Sequence, residues 1–203
     1  MLHEVAFWIA LGAGALLVIT AEGGQQRFAA AVFAASVAAC FGASALYHRV
    51  TWRPNIRLWM RRIDHAGVYF MIAGTYTPVS LLALDGWWRP TLLAVVWGGA
   101  GAATAVKFLW VDAPKTVGAA IGIALGWLAV AALPELVRNV DPAALVLLVA
   151  GGLAYTAGAI VYARGRPDPH PTVFGYHELF HALTVVGIAC QYSAIAFFIV
   201  RVG

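Results

Sequence analysis

The stretch Ala143-Ala-Leu-Val-Leu-Leu-Val-Ala-Gly-Gly-Leu-Ala-Tyr-Thr-Ala-Gly-Ala-Ile-Val-Tyr-Ala163 runs for 21 residues without a charged side chain. As a helix rising about 1.5 Å per residue it would be about 31 Å long, which matches the hydrocarbon core of a bilayer. Six further runs of the same character occupy Val5 to Ala21, Phe28 to His48, His65 to Leu84, Thr91 to Trp110, Val117 to Leu133 and Val173 to Val200. The expected fold is therefore an all-α membrane protein, a seven-transmembrane helix bundle that uses residues 1–203 as a single domain.

Composition agrees with that reading. Hydrophobic residues make up 62% of the chain and charged residues 11%, with a mean hydropathy of +0.82, against about 25% charged in soluble domains. The connecting segments are short and carry turn formers such as Gly23-Gly24, Asp85-Gly86, Asp112-Ala113-Pro114 and Pro167-Asp168-Pro169, so function is expected inside the bundle or at its rim. Met1-Leu2-His3-Glu4 lacks a Lys or Arg ahead of the first apolar run, and Ile19 stands where signal cleavage wants a small residue. The first span is thus expected to remain. Cys40 and Cys190 both fall within spans and read as buried thiols, not as a disulfide framework.

The basic residues suggest an orientation. The side holding the N-terminus also holds Arg49, Arg53, Arg57, Arg61, Arg62, Lys107, Lys115, Arg164 and Arg166, while the other holds Arg27, Arg89, Arg138 and Arg201. Nine against four accounts for all 13 Lys and Arg and places the N-terminus in the cytoplasm and the C-terminus outside, in a cell inner (plasma) membrane. Thr51 to Ile63 reads as a short helix in the headgroup layer, its arginines set among Trp52, Leu58 and Trp59. The net charge of +4 then means contact with anionic inner-leaflet lipid, with no nucleic-acid partner. Lys107 lies close enough to its span end to snorkel. Gly118, Gly122 and Gly126 form a ridge suited to close helix packing within the bundle or in a homo-oligomer, and Pro78 is expected to kink the third span.

Ionisable residues within spans are candidates for function because burying them is costly. His177 and His181 are one turn apart on the seventh run, and imidazoles at i and i+4 leave the same helix face. Ser44 and His48 form a second such pair at the end of the second run, and Asp64 opens the third. All of these fall at one end of the bundle. Three histidines and a water suit catalytic zinc. His48, His177 and His181 would be the ligands, Asp64 would hold or deprotonate the water, and Ser44 would donate from behind.

At Ser44-Ala-Leu-Tyr-His48-Arg, Arg62-Ile-Asp64-His-Ala, Ala73-Gly-Thr-Tyr-Thr-Pro78 and His177-Glu-Leu-Phe-His181, the chain resembles the hemolysin III branch of the PAQR (progestin and adipoQ receptor) family, within the CREST group of membrane hydrolases. The resemblance implies seven helices, a cytoplasmic N-terminus and an intramembrane zinc ion on the three histidines, with water bridged to Asp64. It also implies amidohydrolase chemistry like that of ceramidases, and a role in membrane homeostasis. His65 stands where the receptors carry Tyr and is a candidate supporting group.

Three functions compete at this stage. In the first, a zinc hydrolase cleaves an amide or ester of a membrane lipid, with Arg49, Arg61 or Arg62 meeting the headgroup. In the second, His177-Glu178-x-x-His181 serves an intramembrane zinc protease with Glu178 as base. In the third, a hemolysin-type pore or signalling protein holds zinc only for structure.

Overall fold

The computed structural model describes residues 2–200. Each apolar run forms helix, and the segments rich in Gly, Pro and Asp lie between. The order is α1 (Leu2–Thr20), α2 (Gly24–Arg49), α3 (Pro54–Ala83), α4 (Trp88–Leu109), α5 (Lys115–Gly126), α6 (Leu133–Asn139), α7 (Pro142–Arg164) and α8 (Tyr176–Ala194). Among the described residues, seven helical segments are long and apolar enough to cross a membrane, with α5 and α6 counted as one. Among the described residues the β pairing is limited to an isolated bridge between His170 and Phe174. The protein is an all-α, multi-pass membrane protein.

The helix ends follow local chemistry. Pro54 and Pro142 occupy first-turn positions, where a missing N–H costs nothing. The Asp141 carboxylate accepts from the Ala143 N–H at 2.7 Å, and α7 stops at Gly165, whose φ of 64° is left-handed. At the start of α8, Asp168 accepts from the Tyr176 N–H at 2.8 Å and Glu178 from the Gly175 N–H at 3.0 Å. Four of the N–H groups that a helix start leaves unpaired need such acceptors.

α2 lies between α1 and α3, α8 packs on α7 and α1, and α3 also meets α4 and α5. Small residues let the backbones close in: Gly14 faces Ala34, Gly74 faces Ser36, and Gly187 faces the Tyr155 ring. Phe33, Phe41, Met71, Leu84 and Ile195 fill the interior. Trp8, Ile19, Leu109 and Val146 point outward, as a surface solvated by lipid permits.

Several expectations need correction. Thr51 to Ile63 is no separate surface helix, because α3 is continuous from Pro54 to Ala83. No Gly or Pro interrupts residues 55–66. The basic side chains are accommodated along it: Arg61 donates to Val111 O at 3.0 Å and pairs with Asp112 at 3.1 Å, while Arg62 lies over the Trp59 ring. Asp64 therefore sits well inside α3 and does not open it. The fifth span is broken at Gly126, passes through a 3₁₀ segment, Leu128–Ala132, and resumes with Pro134 in the first turn of α6. Tyr76 on α3 takes up the freed backbone groups, donating to Gly126 O at 2.8 Å and accepting from the Ala129 N–H at 2.9 Å.

α3 runs through Pro78, where Thr77 and Thr75 hydroxyls bond to Ala73 O and Met71 O at 3.0 and 2.8 Å. The seventh span starts at Tyr176 and ends in a π turn, Ile195–Ile199. Within the bundle the glycine ridge meets neighbouring helices only at Gly118, beside Lys107 and Tyr69, since a methyl on Gly122 or Gly126 would meet nothing within 4 Å. All three glycines line a cavity. Arg201 lies outside the described residues.

Candidate metal centre

The final turns of α2, the early part of α3 and the first two turns of α8 converge at the end of the bundle where α1 begins. The His48 and His177 Nε2 atoms are 3.3 Å apart. Ring centres lie 5.0 Å apart for His48 and His177, 5.3 Å for His48 and His181, and 4.4 Å for His177 and His181. One nitrogen from each of the three can be chosen so that all fall within 4.8 Å of one another. Two nitrogens bound to one zinc at about 2.0–2.1 Å with tetrahedral angles would be roughly 3.3 Å apart. The donor set fits a metal ion, with the His48–His177 spacing already at that value.

Asp64 approaches from α3, with its Oδ2 4.0 Å from His48 Nε2, and its side chain is 13% exposed against 35% for His48. The carboxylate stands beside the histidines without displacing one of them. Cys40 is buried on the same helix as His48, and neither it nor Cys190 belongs to the cluster.

The sequence reading missed one residue, His3. Only 6% exposed, its ring stacks on that of His181 with centres 3.8 Å apart and planes 14° from parallel. Its Nδ1 is hydrogen-bonded to the Ser44 hydroxyl at 2.8 Å, while its Nε2 is buried without a partner. Ser44 thus serves His3 and also faces Asp64. Glu4, the next residue, pairs with Arg49 at 3.3 Å, so the first turn of α1 is pinned to the end of α2. The available signal was an ionisable residue at the start of an apolar helix. Replacing His3 with alanine is expected to weaken metal binding about 10–100-fold, the usual effect of removing a group that orients a ligand. His3→Phe, which keeps the stack, should recover most of that loss in a competitive chelator titration.

The remaining candidates lie nearby in different settings. Glu178 is engaged at the α8 cap, and Glu178→Gln is expected to leave stability and metal content near wild type, because Gln serves that cap equally well. Thermal unfolding and metal analysis of the variant check this. Arg49 and Arg61 are paired with Glu4 and Asp112, and Arg62 rests on Trp59. His65 does not join the cluster but lines the cavity beside it. His170, in the α7–α8 connection, is exposed.

That cavity measures about 240 Å³ and leads from His3, Ser44, Asp64, His177 and His181 into the bundle, past Met71, Val79, Gly122 and Ile123, to Leu136. Its wall is largely apolar, with Thr75, Tyr76, Thr156, Thr184 and Gln191 adding polar groups to those at the histidine end.

Comparison with known proteins decides the family. The family model described as "Haemolysin-III related" matches residues 1–192. The chain belongs to the haemolysin III family. It is 30% identical to the "Hemolysin-3 homolog" of Bacillus subtilis (strain 168) over 98% of this chain and 96% of the relative. To "Hemolysin-3" of Bacillus cereus it is 29% identical, covering 97% and 92%. It is also 30% identical to the "Heptahelical transmembrane protein ADIPOR2" of Oryza sativa subsp. japonica, over 85% and 82%. This haemolysin III family member therefore shares its sequence pattern with a plant heptahelical protein of the wider PAQR group.

Proposed function

We propose that this protein is a zinc-dependent hydrolase of an amide or ester bond in a membrane lipid, with ceramide-like amides the class that the family resemblance suggests. The observation that carries the reading is the meeting of His48, His177 and His181 beside Asp64 at the mouth of an apolar cavity. A zinc ion held by the three imidazoles supplies Lewis acidity that polarises a carbonyl and makes water a usable nucleophile near neutral pH. The rest of the chemistry belongs to the chain. Asp64 takes the proton from the attacking water and returns it to the leaving amine or alcohol. Ser44, fixed by His3, donates a hydrogen bond to the developing negative charge. The cavity walls exclude water from the acyl chain and hold it so that the scissile bond lies at the histidine end. The nine-to-four bias in Lys and Arg supports a cytoplasmic placement of that end, so the lipid comes from the inner leaflet.

The test is direct. Protein purified in detergent should hold close to one zinc per chain. In vesicles of phosphatidylethanolamine doped with a short-chain ceramide, it should release free fatty acid that mass spectrometry detects. A preparation holding full zinc that releases no acyl product from any amide or ester lipid overturns the hydrolase reading and leaves zinc a structural role. For the protease alternative, capping by Glu178 weighs against its use as the base. Retained lipid hydrolysis in Glu178→Gln would remove that alternative. For a pore, ion flux through vesicles that persists in metal-free protein would be needed.

A further inference from the structure

Lys107 does not snorkel. It lies near the C-terminal end of α4 with 6% exposure, and it lines the cavity. Among the described residues the ion pairs involve Glu4, Asp64, Asp85, Asp112 and Glu135, and none includes Lys107. Its ammonium also makes no hydrogen bond to a protein atom there. Other basic groups at this end have partners: Arg49 and Arg61 are held by carboxylates, and Lys115 donates to the Tyr176 hydroxyl at 2.6 Å. An ammonium buried in a membrane bundle without a counter-ion is costly and marks a site for something that supplies one.

A second observation points to the same place. The His65 Nδ1 is buried without a hydrogen-bond partner, and His65 also lines the cavity. Tyr69, one turn further along α3, presents its hydroxyl to the Gly118 carbonyl at 3.4 Å. A methyl group on Gly118 would lie 3.1 Å from Lys107 Nζ and 3.5 Å from the Tyr69 hydroxyl. The glycine thus keeps open the space beside the ammonium. Among the described residues, the site has a cation that no acid pairs with, an imidazole nitrogen without a partner and a largely apolar chamber beside it.

We propose that Lys107 and His65 form a subsite for the oxyanion head of an amphiphile whose acyl tail lies in the cavity. The ligand class is an acyl chain ending in a carboxylate or a phosphate. The inference shares the lipid part of the proposed function but needs no metal. It assigns to the α3–α4–α5 corner a recognition role distinct from the histidine cluster. Neutralising a buried charge through a charge-assisted hydrogen bond should favour an anionic head over its neutral analogue about tenfold or more.

Native mass spectrometry of the full chain, released from detergent in the presence of oleate, methyl oleate or oleoyl lysophosphatidate, tests this. Wild type should bind one oleate or one lysophosphatidate at least tenfold tighter than methyl oleate, and the tighter of the two identifies carboxylate or phosphate as the head. Lys107→Met should bring both anions down to the methyl oleate level while its Tm holds or rises. Lys107→Gln is the alternative neutral variant should Met impair folding, and Lys107→Arg should keep the preference. His48→Ala should also keep it, which separates this subsite from the metal-dependent reading. Equal binding of oleate and methyl oleate by wild type overturns the proposal, as does a preference that survives in both neutral variants. Loss of the preference in His48→Ala does so too, by assigning the anion to the histidines.

Discussion

His181→Ala is expected to empty the metal site and abolish lipid hydrolysis while leaving a folded bundle. His181 holds the centre together from two sides, with its ring 4.4 and 5.3 Å from those of His177 and His48 and stacked on His3 at 3.8 Å. Protein zinc sites of the structural kind contribute about 10–16 kcal/mol. One ligand of three then accounts for roughly 3–5 kcal/mol, or about three orders of magnitude in affinity. Metal analysis after dialysis against a weak chelator should find far less than one ion per chain, and fatty-acid release should fall to background. The side chain is only partly buried, so far-UV circular dichroism should be unchanged. Full metal content together with wild-type turnover in this variant would refute the three-histidine centre.

Asp64→Asn separates chemistry from binding. The amide has the shape of the carboxylate but cannot take a proton, and general base catalysis contributes about 10²–10⁴-fold. We expect kcat to drop by that factor while metal content stays near wild type, because Asp64 stands 4.0 Å from His48 and outside the three-nitrogen cluster. A variant that loses metal along with activity would instead make Asp64 a ligand. One that keeps both would leave the reaction without its base.

The parts of this molecule that read well from sequence are those governed by local periodicity. Seven apolar runs with short connections could only become spans. His177 and His181, one turn apart, had to share a face whatever packed against it. The convergence of His48 and Asp64 on that face depended on which helices are neighbours, yet their shared depth was visible as parity along the chain. What escaped was set by tertiary surroundings. His3 stood out only as part of the short approach to the first span because its partners, Ser44 and His181, are distant in sequence. Lys107 looked free to reach the interface because the distance to a span end says nothing about whether the helix face points to lipid or inward. The glycine ridge on α5 has the pattern of a packing surface, but the break at Gly126, held by Tyr76, leaves its small residues bordering a void. The run from Thr51 to Ile63 carried the charge of a surface helix. Only the absence of a helix breaker before Ala66 indicated that it would continue as α3.

The stacking of His3 on His181 also has a consequence for when the protein acquires its chemistry. The two residues are 178 positions apart (181 − 3), and chains emerge N-terminal end first, so α1 must wait for α8 before the ligand sphere is braced. Closing so long a stretch carries the entropy of the intervening chain, which the packing of all the other spans has to offset first. A half-made or prematurely terminated copy would lack the braced three-histidine centre altogether.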